Sequence, residues 1–397
     1  MSIQSSSGGT QCQTRRRSRY GCRNCKLRKL KCDEGKPECK KCRSFGVVCN
    51  FISNTPDLHP ITAFKRQQPL TAAWATAPRP SLTDAVWTAD ASTFYKLNAR
   101  CQDFITRYLG RSLLTPNDEN MKQVNRKLLE LAFEYPFLMH ASLAVAFTYD
   151  RHLNNLKDSR RSLEECYHWS RSTALLNKRL QKPIQEQDKD PIWGTAAALV
   201  ILTFSSPDTH TLEGAWPLNA FADSSELDWL RMNECKMALW NILDPLRSNS
   251  IFRVMAPTYA VMNTRLPEAG IDEIPSPLAA VCKLTDSSNP TTNPYFYAAH
   301  ALSVVLSLSD SAVTTGPTQL FLQTINRGFK QLLLERNPVA LLLLYLWYRK
   351  VGRCLWWIEL RARVECPAIC VYLRRYHGDN ADVLAFLPGG ALAGQFD

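Results

Sequence analysis

Long hydrophobic runs are missing from this chain of 397 residues: the longest clean one, residues 339–347, is nine residues, about half of what a helix needs to cross a bilayer. A cleavable apolar leader is missing as well. Residues 1–10 are polar and rich in Ser and Gly, and arginines follow, so a secreted, disulfide-stapled scaffold is not expected. No G-x-S-x-G, H-E-x-x-H or Gly-rich phosphate loop occurs, which removes the commonest hydrolase and nucleotide-binding signatures and leaves no expectation of an enzyme. Strand-like alternation is hard to find. Acidic residues are scarce at one end only: residues 1–50 hold three Asp or Glu against 13 Lys or Arg, whereas residues 51–397 hold 33 against 35. Nearly all of the net charge of +12 therefore sits in one short segment, as expected when that segment alone meets a polyanion.

Cysteine, by contrast, is abundant. Seven of the 14 cysteines fall at or before position 49, and cysteines clustered in a reducing compartment more often bind metal than pair with one another. Six of them read Cys22-x2-Cys25-x6-Cys32-x6-Cys39-x2-Cys42-x6-Cys49, so C-x2-C-x6-C occurs twice. Zinc favours four tetrahedral ligands, and thiolate suits it. Two ions would want eight sulfurs if none were shared; with six available, two sulfurs must bridge. Six thiolates and two Zn²⁺ reduce the formal charge of the first fifty residues to about +8. The segment is too small for an adequate core, so metal must supply its folding energy.

The two x6 gaps differ in charge. The first holds Lys26, Leu27, Arg28, Lys29, Leu30 and Lys31; the second holds Arg43, Ser44, Phe45, Gly46, Val47 and Val48. The first half is expected to face DNA, while Lys40, Lys41 and Arg43 reach phosphate from the second and Phe45, Val47 and Val48 pack. Leu27 and Leu30, three apart, would give a first short helix an inward side. Pro37, after Gly35, would fix a turn in the linking loop. Arg15, Arg16, Arg17 and Arg19 suit nuclear import or an arm along the DNA backbone. A metal store lacks a large apolar domain and a one-sided basic gap, and a redox dithiol needs a βαβ setting. A zinc module that binds protein rather than DNA stays open at this point.

Residues 19–51 resemble the fungal binuclear zinc cluster family, Zn₂Cys₆, with all six cysteines and Lys29, Lys31, Asp33 and Pro37 in place. The resemblance implies two Zn²⁺ per chain bridged by Cys22 and Cys39: one ion on Cys22, Cys25, Cys32 and Cys39, the other on Cys39, Cys42, Cys49 and Cys22. It further implies that the first short helix enters the major groove of double-stranded DNA at a CGG-like triplet. There the lysine at position 29 leads the base contacts with Arg28 beside it. Lys26, Lys31, Arg19, Lys40, Lys41 and Arg43 would then hold phosphates, which set register and affinity.

The rest of the chain reads as a basic arm (1–18), the zinc module (19–51), a proline-rich linker (52–90) and a large all-α domain (91–397). From Phe94, Leu97, Cys101, Phe104, Ile105 and Leu109 onward, apolar residues recur at helical spacing. Further helical stretches cover 119–134, 137–153, 159–180, 191–204, 225–243, 294–308, 318–335 and 338–376, for eight to ten helices in all. The proline-rich segment 257–294 reads as loop. Trp356 and Trp357 read as core, Cys366 and Cys370 as small buried hydrophobes, and the seven histidines as dispersed. Glu359, Arg361, Arg363 and Glu365 read as an ionic helix face. Residues 135–144, 193–204 and 341–373 are similar to the regulatory domain of fungal sterol uptake control proteins. That resemblance implies an all-α fold, pairing of two copies through this domain and a hydrophobic small-molecule ligand. Similar regulators also sit in secondary-metabolite gene clusters. Together these readings predict a nuclear regulator of RNA polymerase II genes, an activator by family analogy.

Overall fold

The computed structural model describes residues 20–27, 30–36, 38–45, 49–51, 86–88, 94–96, 101, 103–105, 108, 118–154, 161–207, 209, 211–219 and 227–395. The chain divides into two compact units, residues 1–80 and 81–397. The basic arm with Arg19, most of the linker, Arg28, Lys29, Pro37, Val47 and Val48 lie outside the described residues.

Among the described residues of the small unit are two short helices, α1 (Arg23–Leu27) and α2 (Lys40–Phe45). Its interior is sulfur rather than hydrocarbon: Cys22, Cys25, Cys32, Cys39 and Cys42 are each at most 3% exposed, with Cys49 and Phe51 packed against them. Leu27 and Leu30, expected to point inward, are 53% and 42% exposed. The reason is space: six cysteine side chains fill the centre, and a module this small has no second layer to receive a leucine.

The large unit opens with a hairpin, not a helix. β1 (Val86–Thr88) pairs antiparallel with β2 (Phe94–Lys96), Val86 opposite Lys96. Valine, threonine and aromatics favour a pleated strand, and over three residues a helical period cannot be told from one. Val86–Thr88 falls in the segment expected as linker. Helix resumes at Cys101 and residues 103–105, where Phe104 and Ile105 are buried.

Beyond the hairpin the described residues include fourteen α-helices and no further strand. These are α3 (Glu119–Ala132), α4 (Pro136–Leu153), α5 (Leu163–Leu180), α6 (Lys189–Phe204), α7 (Asp228–Ala238), α8 (Trp240–Leu243), α9 (Ala256–Met262), α10 (Ser276–Val281), α11 (Phe296–Ser307), α12 (Thr315–Thr324), α13 (Arg327–Leu334), α14 (Pro338–Gly352), α15 (Trp356–Tyr376) and α16 (Ala381–Leu384). The starts follow local chemistry. Asp118, Ser162, Asn326 and Asn337 each accept a bond from a first-turn amide, and Pro136 and Pro338 occupy first helical positions where no donor is lost.

Two helices form the centre. α6 is buried almost all round, from Pro191 through Trp193 to Phe204, and packs on α3, α4, α5, α7 and α15. α14 buries an unbroken run from Ala340 to Tyr348 and packs on α11, α13 and α15. A helix apolar on every side belongs in the middle of a bundle.

The helix count exceeds expectation because three long periodic stretches are interrupted and because α9, α10 and α16 lie outside the expected stretches. Asn326 restarts 318–335 as a capped second helix, and Leu239 separates α7 from α8. The 338–376 stretch breaks at Leu355, which is extended (φ −123°, ψ 107°). This turn folds α15 onto α14 so closely that a Cβ on Gly352 would stand 3.1 Å from that of Ala362. Segment 257–294, expected as loop, carries most of α9 and all of α10; proline at the first turns of both is compatible with helix.

The four charged residues read as an ionic helix face do pair at i, i+4, but two of them are interior. Arg361 and Glu365 are each 4% exposed, whereas Glu359 and Arg363 pair on the outside. Trp356 and Trp357 are core, as expected. Of the histidines, His140 and His168 meet inside the unit with Nδ1 atoms 2.8 Å apart, and His168 Nε2 lies 3.4 Å from Cys101 Sγ. Burial holds both imidazoles neutral, near 3 and 4 respectively.

Candidate metal centre and nucleic-acid interface

Each half of the cysteine repeat begins at a helix start. Cys22 precedes α1 and its Sγ accepts from the amide of Cys25 at 3.4 Å; Cys39 precedes α2 and its Sγ accepts from the amide of Cys42 at 3.3 Å. The sulfur thus does what a serine or aspartate oxygen does at an N-cap, and a negative sulfur there is favoured by the helix dipole. The C-x2-C spacing follows from this: residue i caps the amide of i+3, and both sulfurs then lie at the same end of the helix.

The third cysteine of each half arrives by a loop. Glu34 adopts a left-handed conformation (φ 55°), and its amide donates to Cys32 Sγ at 3.3 Å. The amide of Cys39 donates to Cys49 Sγ at 3.3 Å.

The six sulfurs form two groups of four: Cys22, Cys25, Cys32 and Cys39, and Cys22, Cys39, Cys42 and Cys49. Within each group the sulfurs lie within 4.8 Å of one another. Cys22 and Cys39 belong to both groups, 3.8 Å apart. Other separations are 3.5 Å (Cys22 to Cys42), 3.6 Å (Cys25 to Cys39) and 4.0 Å (Cys32 to Cys22). A Zn–S bond of about 2.3 Å sets the edge of a ZnS₄ tetrahedron at about 3.8 Å. The arrangement is therefore that of two tetrahedra sharing one edge, and it fits a pair of zinc ions. Electrostatics agree. Burial pushes the Cys49 thiol up to about 12 and those of Cys25 and Cys42 further still, so thiolates form here only if a cation compensates them.

Two residues lock the halves together: Asp33, which the sequence marked only as part of the resemblance, and Asn50, which it did not single out. Asp33, next to Cys32, accepts from the amide of Lys40 in the first turn of α2 at 3.1 Å. That bond, above all, lowers the carboxyl below its usual range. Asn50, next to Cys49, is buried and accepts from the amide of Asn24 in α1 at 2.8 Å. The residue after the last cysteine of each half thus caps the helix of the other. The only signal in the sequence was an Asp and an Asn at equivalent places in the repeat. Replacing buried Asn50 by alanine is expected to cost about 1 kcal/mol, seen as a roughly fivefold faster loss of zinc to a competing chelator. An unchanged rate would show that the cross-cap contributes nothing.

Of the basic residues, Lys26, Lys31, Lys40 and Lys41 are exposed around this centre. Arg43 lies on α2; Arg19, Arg28 and Lys29 are outside the described residues. Lysines thus surround a centre built on buried sulfur.

Residues 20–57 match the fungal Zn(2)-Cys(6) binuclear cluster domain. This segment is such a domain. It binds two zinc ions through a cluster of cysteines. Over 252 residues the chain is 24% identical to the Zn(2)-C6 fungal-type transcription factor afumD of Aspergillus fumigatus, covering 59% of this chain and 63% of that protein. It is 51% identical over 35 residues to sterol uptake control protein 2 of Saccharomyces cerevisiae, covering 9% of this chain and 4% of that one. It is 54% identical over 41 residues to pestheic acid cluster transcriptional regulator 3 of Pestalotiopsis fici, covering 10% and 7%. The chain thus spans less than two-thirds of the length of each of these relatives, and no solved structure matches it. No helix among the described residues is long and apolar enough to cross a membrane.

Proposed function

We propose that this chain is a sequence-specific DNA-binding regulator of transcription, in which the Zn(2)-Cys(6) domain reads a CGG-like triplet and the large helical unit regulates the outcome. One ion sits on Cys22, Cys25, Cys32 and Cys39, the other on Cys39, Cys42, Cys49 and Cys22. Lys29 and Arg28 meet base edges, and Lys26, Lys31, Arg19, Lys40, Lys41 and Arg43 meet phosphates. The observation that carries this reading is the edge-sharing pair of four-sulfur groups with lysines exposed around it. The metals fold the module and add little to recognition; the basic side chains make the contacts. Bidentate or point donors to base edges give selectivity, and phosphate neutralisation gives affinity that falls with salt.

In this reading the protein works in the nucleus on RNA polymerase II genes, activating sterol or secondary-metabolite genes, and is not an enzyme. Relatives named for a biosynthetic cluster and for sterol uptake support that choice of pathway. The large unit pairs two copies and answers to a small apolar ligand. In this reading residues 1–18 are a basic arm, 52–90 a linker and 91–397 the regulatory unit.

A gel-shift or anisotropy titration of the zinc-loaded protein against CGG-containing and scrambled duplexes tests the DNA reading. The expected result is a clear preference for CGG, an affinity that drops steeply with salt, and a loss of about 1–3 kcal/mol in Lys29→Ala with zinc retained. Equal binding to both duplexes by protein that holds two zinc ions would instead make this a zinc-stabilised protein-interaction module.

A further inference from the structure

Lys236 lies on the face of α7 that packs against α6, and it is 8% exposed. Among the described residues no hydrogen bond or ion pair reaches its Nζ, which lies over the ring of Trp193, 4.9 Å from the centroid. The acidic residues of both helices are engaged elsewhere: Asp190 with Arg247, Ser250 and the amide of Ile251, Asp228 with Arg231, and Glu234 with Lys330. Asn233, three residues earlier and so on the same helix face, is 4% exposed, and among the described residues its Oδ1 has no partner either. A buried ammonium without a counter-charge is costly, and burial lowers this one to about 8. Trp240, one turn further on and only partly buried, meets the same Trp193 ring edge-to-face, with centroids 5.4 Å apart. The amine is therefore within one aromatic layer of the surface. Tyr259 completes that layer: its hydroxyl accepts from Trp193 at 3.1 Å, and its ring lies 5.0 Å from that of Trp240.

We propose that the Lys236 amine captures a small apolar aldehyde as a reversible imine, the body of the aldehyde lying against Trp193 and Trp240. A lysine desolvated among apolar groups is an activated nucleophile. The neutral amine adds to the carbonyl carbon to give a carbinolamine. The carbonyl oxygen then leaves as water with the two amine protons, and a C=N bond remains; no oxidant or reductant takes part. The product is uncharged, so the burial that disfavours the ammonium favours the imine. The ring face of Trp193 draws the cation back, which keeps the capture reversible. The inference gives a chemical class to the ligand of the large unit, and its regulatory meaning rests on the function proposed above.

Full-length, zinc-loaded protein is incubated with benzaldehyde at neutral pH, reduced with cyanoborohydride, digested and mapped by mass spectrometry. An amine at about 8 is neutral near pH 7.5 in roughly one molecule in four, an ordinary lysine in roughly one in a thousand. Lower basicity and slower approach offset part of that advantage. The expected result is N-benzyl lysine at position 236 roughly tenfold above any exposed lysine, with the preference gone in protein unfolded in urea. Glycolaldehyde, small but polar, should show no such preference, because it gains nothing from the aromatic wall. Lys236→Arg keeps a cation over the Trp193 ring and should lose the adduct while the labelling of exposed lysines is unchanged. The proposal is overturned if Lys236 in the folded protein reacts no faster than exposed lysines, if its preference survives in urea, or if glycolaldehyde shares it. The readout involves no DNA, so a protein that ignores CGG yet captures benzaldehyde at Lys236 refutes only the DNA reading, and the converse result refutes only this one.

Discussion

Treated with a strong chelator, the cysteine module unfolds and the large unit keeps its helices. No other perturbation should have a greater effect, because the module has no alternative core. Among the described residues its buried apolar cluster is five cysteines with Cys49 and Phe51 against them, and Leu27 and Leu30 face solvent. Structural zinc in modules of this kind contributes on the order of 10–16 kcal/mol at neutral pH, more than two helices of five and six residues could supply. The shared edge makes the effect of single substitutions unequal. Cys39→Ser removes a sulfur from both four-sulfur groups and should leave neither ion firmly held; Cys42→Ser touches one group and should leave one. Zinc per chain, measured by elemental analysis after dialysis, distinguishes them, and Cys39→Ser protein that retained two ions would refute the shared role. The sign of the pH effect follows from the thiols. Burial raises Cys25, Cys42 and Cys49 above their ordinary values. Zinc uptake therefore expels protons, and acidification should weaken zinc binding and unfold the module.

The repeat of cysteines was legible because ligands of one ion must lie close in sequence when a helix start presents two of them, and C-x2-C is that start. The cross-caps were not. Asp33 and Asn50 act on amides seven and 26 residues away, and no local pattern marks a residue for such a task. Leu27 and Leu30 misled because a three-residue spacing was read as an inward face in a place with no inside. In the large unit the helical period was legible, yet its interruptions were not. Phe94 starts a strand because Val86–Thr88 is there to pair with it, and Leu355 turns the chain because α15 has α14 to lie on. Arg361 and Glu365 share one ionic pattern with Glu359 and Arg363. Whether such a residue faces water or core depends on which side of α15 meets α6, and alternating charges along a helix do not say.

That buried pair carries the second large effect. Arg361 donates to Glu365 at 2.6 Å and to the carbonyls of Thr203 (2.9 Å), Phe204 (3.0 Å) and Ser206 (3.3 Å). The last carbonyls of a helix have no partner within it, so one guanidinium closes the C-terminal end of α6 from α15. Its charge also lies 5.7 Å from the Trp229 ring centre. Glu365 receives a second bond from Tyr348 at 2.8 Å, and burial pushes that hydroxyl well above its ordinary value, so it stays a donor. Arg361→Ala strands a buried carboxylate and three carbonyls and should destabilise the large unit by about 3–5 kcal/mol. Lysine at 361 offers one point of charge in place of a planar fork and cannot serve all four acceptors, so it should recover only part of the loss. The double variant Arg361→Ala, Glu365→Ala should be less destabilised than the sum of the two single variants, because no charge is left unpaired. Denaturant unfolding followed by helix signal and tryptophan fluorescence gives all four values. Arg361→Ala within about 1 kcal/mol of the parent, the range of an exposed pair, would mean that the guanidinium is solvated and that α6 ends without it.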